Sequence, residues 1–209
     1  PDYAFDQTVK SIEASYKAVR EEAFEKSVLS RYNVSWEEFK RPNALDENLR
    51  KELFQMATDP KGFGTRLLLS GVDKELNDFR IYSIDYPAAA HFYDRYGTIG
   101  SGSDRADILI GDSLHYMNPE ERENIPLHLG ARILMEATQS AWRNMGVGGR
   151  SQLVWVNDEK YHELGRLESN LLNNVLYAEK KKILDKGSVE RIFQDTIETG
   201  AKATEILSQ

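Results

Sequence analysis

Three short apolar runs crowded between Arg66 and Ile99 constrain this chain more than any other feature. Arg66-Leu67-Leu68-Leu69-Ser70-Gly71-Val72 and Phe79-Arg80-Ile81-Tyr82-Ser83-Ile84 have the length and side chains of strands, with a polar turn from Lys74 to Asp78 between them. The strands are expected at Thr65–Val72 and Phe79–Ile84, and a third from His91 to Thr98, after the Tyr86-Pro87 turn. Ahead of them Phe5, Val9, Ile12, Tyr16, Val19 and Ala23 recur at steps of four and three, which predicts a helix over 5–31. At ~1.5 Å per residue it would run about 40 Å. Strands this few cannot bury themselves, so Leu67, Leu69, Ile81 and Ile84 need a covering layer. The fold class is α+β.

Shorter signals fill in the rest. Ser35-Trp36-Glu37-Glu38 reads as a capping box, and Asp46 as the cap of a helix turning Leu49, Leu53 and Met56 inward. Gly100-Ser101-Gly102-Ser103 follows the third strand, with Ser103 as N-cap of a helix carrying Ala106, Leu109, Ile110 and Leu114. Asn118-Pro119-Glu120-Glu121 starts a further helix, whose inward stripe is Leu129, Ile133, Ala137 and Ala141. Gly146-Val147-Gly148-Gly149 ends it, and Gln152 to Val156 is a fourth strand. From Tyr161 two more helices are expected, separated near Asp185 to Ser188, with Lys180-Lys181-Lys182 on a solvated face.

Several chemistries are excluded or disfavoured. Over 209 residues the net charge is -7, which argues against nucleic-acid and anionic-membrane partners. There is no cysteine, so disulfides, thiol catalysis and cysteine metal sites are ruled out. Neither a membrane-length apolar run nor a signal peptide is visible, and a cytoplasmic location is expected. His91, His115, His128 and His162 lack metal-ligand spacing, and no cofactor or metal is expected. Asp73, Asp85 and Asp94 stand at strand ends, and no two of them read as a catalytic dyad. Gly100-Ser101-Gly102 is not a dinucleotide fingerprint, because Arg105 stands where the third glycine belongs and no Walker lysine follows. Taken alone, such a junction most often serves close packing of helix on sheet.

The order of these pieces is more specific than any one of them. Leu68 to Asp73, Ile81 to Asp85, Gly100 to Ser103, Met117 to Glu121 and Gly148-Gly149 follow one another as do the corresponding pieces of proteasome-type subunits. The chain thus resembles the later part of a proteasome-like N-terminal-nucleophile (Ntn) hydrolase, over about residues 1 to 157. That resemblance implies a four-layer αββα sandwich, incomplete at its N-terminus, with residues 158–209 as a C-terminal helical extension. It implies a threonine-type peptidase acting on peptides or unfolded proteins as a homo-oligomer. The nucleophile would lie upstream of Pro1. Ser101 would be a supporting polar group rather than the nucleophile, and Gly100 and Gly102 would let backbone pass the substrate closely. Asn144 stands at the position of a family aspartate, and Val147 at that of a family serine. Neither can play the family part unchanged, since asparagine is neutral and valine cannot hydrogen-bond. The family also adds a short strand after the fourth, where this sequence reads as helix. Gly64-Thr65 resembles a self-cleavage junction, but Thr65 heads an interior strand and no cleavage is expected there. A catalytically inactive structural or binding subunit is the alternative function, and an unrelated helical adaptor the third.

Overall fold

A computed structural model of the chain describes residues 5–58, 66–73, 76, 78–85, 89–144, 152–156 and 161–207. Helix α1 spans Phe5–Ser27, shorter than the periodicity suggests. A single 3₁₀ turn, Leu29–Tyr32, follows it, and Asn33 closes that turn in the left-handed region at φ +52°. Val9, Tyr16 and Phe24 are buried along α1, whereas Val19, expected on the same face, is exposed. Helix α2 (Trp36–Lys40) has the expected capping box: Ser35 Oγ accepts from the Glu38 amide, and the Glu38 carboxylate accepts from the Ser35 amide. Donation from the Ser35 amide, and then from its hydroxyl, holds the Glu38 carboxyl below its ordinary value. Asp46 caps α3 (Glu47–Thr58) through the amides of Asn48 and Leu49. Leu53 is fully buried there, with Phe24, Leu29 and Val34, but Met56 is exposed.

The chain divides into two compact units, Pro1–Ile99 and Gly100–Gln209. The first carries an antiparallel sheet in the order β1 (Leu67–Asp73), β2 (Asp78–Asp85), β3 (Ala89–Tyr93). The strands fall where the sequence puts them, except that the third ends at Tyr93 rather than Thr98. Residues 94 and 95 bend instead, and 96–99 are irregular. Thr65 and Gly64 lie outside the described residues.

Because partners in register share a face, the sheet's two sides can be read from the pairing. Leu69, Tyr82 and Phe92 stand in one row, with Gly71 on the same side, and α1 lies over them. Phe5 packs so close to Gly71 that a Cβ there would sit 2.7 Å from its ring. Tyr82 Oη donates to Asp6 at 2.9 Å, and the Ala90 amide donates to Glu13 at 2.6 Å. The opposite side carries Leu68, Ser70 and Val72 beside Ser83, Ile81 and Phe79. Ile81 and Ser83 are buried there, yet Leu68, Val72 and Phe79 are 40 %, 52 % and 54 % exposed. That side is only partly covered.

The second unit begins with α4 (Ser103–His115), α5 (Pro119–Glu123) and α6 (Leu127–Ala141). Asn118 and Glu121 form the capping box with Pro119 at the first helical position, as expected. The helix they start is nevertheless only five residues long. Pro126 interrupts it and caps α6, so one expected helix is two. Ile133, Ala137 and Ala141 are buried on α6, as the small-residue stripe predicts, and Leu129 is half-buried. The expected fourth strand is β4 (Val154–Val156). A fifth, β5 (Tyr161–Glu163), pairs with it antiparallel, where the sequence reads as helix. A three-residue strand carries too little alternation to be recognised. The expected boundary between 157 and 158 lies outside the described residues.

Helices α7 (Arg166–Lys180) and α8 (Lys186–Gln194) follow. Asp185 caps α8 by accepting from Ser188 N and Oγ, which holds the Asp185 carboxyl low. The lysine run is exposed, as expected, and stands at the end of α7: Lys181 is its C-cap and Lys182 is left-handed at φ +59°. A π-turn, Asp195–Thr199, prolongs α8 to Gly200, and α9 is Ala203–Ile206. Leu172, Leu176, Val189 and Phe193 are completely buried in this unit's core, beside Ala131 and Met135 of α6. The molecule is thus mixed α+β with small antiparallel sheets. No helix among the described residues is long and apolar enough to cross a membrane.

Candidate functional site

The turn before α4 is built by its glycines. Gly100 has φ +102°, a conformation that side chains resist, and its carbonyl accepts from the Ser103 amide at 3.1 Å. Gly102, not Ser103, is the N-cap: its carbonyl takes the Ala106 amide at 3.2 Å, and Ser103 is already helical. Ser101 is exposed on the outside of the turn while Gly102 is buried.

Asn144 reaches this turn from the end of α6. Its Nδ2 donates to the Ser101 carbonyl at 3.0 Å, across 43 residues of sequence. Its Oδ1 accepts from Nε of Arg105, one turn into α4. Both ends of the amide are therefore used, and the assignment of its nitrogen and oxygen follows from the pair of partners. A carboxylate in that place could keep Arg105 but would face the Ser101 carbonyl with an acceptor. Asparagine suits this junction better than aspartate would.

Gly100, Ser101, Gly102 and Asn144 are thus brought together, while Val147 and Gly148-Gly149 lie outside the described residues. In the sequence Arg105 stands out only for occupying the place of a third glycine. Its position at the first turn of α4 gave no sign that Asn144 would come to it, because that meeting depends on how α4 and α6 pack.

The aspartates and histidines singled out in the sequence have local contacts. Asp73 is buried with Arg80 Nε at 3.9 Å; Asp85 faces Arg66 at 3.9 Å and His91 at 3.3 Å; Asp94 lies 3.6 Å from Arg95. They form no dyad. His115 packs edge-on against Tyr116, His162 stacks on Trp155, and His128 Nδ1 bonds Glu198, holding that carboxyl below its ordinary value. No group of three or more His, Asp or Glu among the described residues could hold a metal ion.

The chain was compared with protein-family models, curated proteins and solved structures, and none of them matches it.

Proposed function

We propose that this chain is the later part of a proteasome-like Ntn hydrolase, a peptidase whose nucleophile is supplied by chain preceding Pro1. The observation that carries the reading is the 3.0 Å hydrogen bond from Asn144 to the Ser101 carbonyl. It joins the two positions to which the resemblance independently gives supporting roles. The β4–β5 hairpin adds to it, because a short strand after the fourth is what the family has and the sequence alone did not suggest. The four-layer sandwich belongs to the same proposal. Leu68, Val72 and Phe79 are exposed together on one side of the β1–β2–β3 sheet, where a facing sheet would pack. Assembly into a homo-oligomer follows as part of it, and Ile108 of α4 and Leu134 of α6 offer exposed apolar contacts for a neighbouring copy.

In this reading Ser101 orders the reacting amine and its water, and the backbone of Gly100 and Gly102 runs beside the substrate. Ser101→Ala in the full natural chain is expected to lower kcat for a fluorogenic peptide about tenfold, the loss of one hydrogen bond worth about 1.4 kcal/mol in the transition state. Its thermal unfolding should move little, since Ser101 is exposed and Asn144 binds its carbonyl, not its hydroxyl. Unchanged turnover in an active preparation would make Ser101 a turn residue only.

One observation favours the second reading, a catalytically inactive subunit. Asn144 is uncharged and both ends of its amide hold the Gly100–Ser103 turn to α4 and α6. It works there as a structural tie. A preparation that assembles but turns over no peptide would support that reading.

A further inference from the structure

The three-stranded sheet of the first unit has two edges, and they differ. On β3 the Ala90 amide is taken by the Glu13 carboxylate of α1 at 2.6 Å, so α1 already occupies that edge. The other edge is β1, Leu67–Asp73. Among the described residues no main-chain hydrogen bond of Leu67 to Val72 is made outside the pairing with β2. Alternate N–H and C=O groups along this strand therefore point outward with no partner among those residues. Leu68, Ser70 and Val72 are all exposed on the side away from α1.

A free strand edge is usually blunted by charge, proline, a bulge or a covering element. β1 has none of the first three. Leu67 to Val72 carries no charge and no proline, and the register against β2 runs unbroken from Leu67 to Asp73. Its one charge, Asp73, is buried near Arg80. The outward main-chain groups would accept any extended strand, so the side chains decide which one. Residues opposed in an antiparallel pair share a face. About a two-fold axis through Ser70, Leu68 of one copy of β1 stands opposite Val72 of another, and the contact occurs twice. Leu69 then meets Gly71, and Asp73 meets Leu67, so no like charges face each other within the strand. Moving the axis to Leu69 or Gly71 sets Leu68 or Val72 against Ser70 and loses the apolar pairs.

We infer that β1 is a dimerisation edge, pairing antiparallel with β1 of a second copy of this chain about an axis through Ser70. Two three-stranded sheets become one of six, an ordinary size. A single strand edge is a small contact, so the dimer forms and dissociates in the micromolar range. The inference goes beyond the peptidase reading and needs neither a nucleophile nor the Ser101 turn. The side carrying Leu68, Val72 and Phe79 is widened rather than covered, so the facing sheet proposed above keeps its place.

Residues 1–209 hold no cysteine, so an introduced thiol reports its own position. Opposed Cα atoms in an antiparallel pair lie about 4.5–5.5 Å apart, within the span of a disulfide. Mild oxidation of Ser70→Cys in the full natural chain is expected to link two copies, with peptide mass mapping placing the bond between the two substituted positions. Leu68→Cys is the register control. Its two copies would stand about 14 Å apart, beyond disulfide reach, and should link about tenfold more slowly or not at all. Ser70→Lys sets two ammonium groups against each other and should weaken the dimer seen by sedimentation velocity about tenfold. The circular dichroism spectrum and melting temperature of that variant, taken on dilute protein, should match the parent. A parent chain that stays monomeric throughout the micromolar range would overturn the inference. So would Ser70→Cys copies that do not link, or a dimer that Ser70→Lys leaves as tight as before. Equal linking of Leu68→Cys and Ser70→Cys would overturn the register.

Discussion

Phe193→Ala is expected to cost the second unit about 3–5 kcal/mol, the largest stability effect of any single change in this chain. Phe193 has no exposed surface and sits among Leu172, Leu176 and Val189, all equally buried. Removing the ring loses its transfer free energy and leaves a cavity, and the surrounding helices can collapse into it only in part. The measurement is the urea midpoint of the full chain, which should fall by about 2 M for a slope of about 2 kcal/mol per M. A shift under a quarter of that would mean that α7 and α8 do not share the core described above. The change also bears on function. Met135 and Ala131 of α6 belong to the same core, and α6 leads directly to Asn144. Loosening the core should therefore free the Gly100–Ser103 turn as well.

Arg132→Met is expected to follow, at about 2–3 kcal/mol, reduced from the cost of a fully buried pair because its partners remain partly wet. Arg132 projects from α6 and is only 12 % exposed. Nε donates to Glu136 at 3.0 Å, and Nη2 donates to both oxygens of Glu179 at 2.9 and 2.8 Å. Glu190 lies beyond hydrogen-bond reach at 3.8 Å from Nη1. Burial opposes the charge, but the bonds from Glu136 and then Glu179 outweigh it, and the guanidinium is held more firmly protonated than usual. Methionine would fill much the same volume while leaving two carboxylates without their cation. Denaturation of Arg132→Met, Glu179→Gln and the double variant reads the coupling directly: about 1–2 kcal/mol should be recovered when both are changed. Strict additivity would show that the Arg132–Glu179 fork ties α6 to α7 only weakly.

The sequence and the structure agree where local signals are strong and part where packing decides. Ser35, Asp46 and Asn118 stand before helices with side chains that satisfy the first amides, so those starts were readable. The β1–β2 hairpin was readable because two apolar runs flank one polar turn. Proline marks the helix break at Pro126, but the strong start at Asn118 points to one long helix and hides it. The fifth strand depends on pairing with β4 and has no periodicity of its own. Val19 and Met56 match the helical period but lie beyond the faces that neighbouring elements cover. Within the candidate site the turn was legible from its glycines, whereas the meeting of Arg105 with Asn144 arises from a contact between distant segments. A π-turn such as Asp195–Thr199 leaves no local sequence mark at all.

The central claim is that an N-terminal nucleophile works beside the Ser101–Asn144 junction. The most direct measurement treats the full natural chain with a peptide epoxyketone, whose paired electrophilic carbons need a hydroxyl and an amine on one residue, and locates the adduct by peptide mass mapping. The account predicts one adduct per chain, on a mature N-terminal residue upstream of Pro1, formed more slowly in Ser101→Ala. No adduct on a folded, assembled protein, or an adduct on a side chain within residues 1–209, would contradict it.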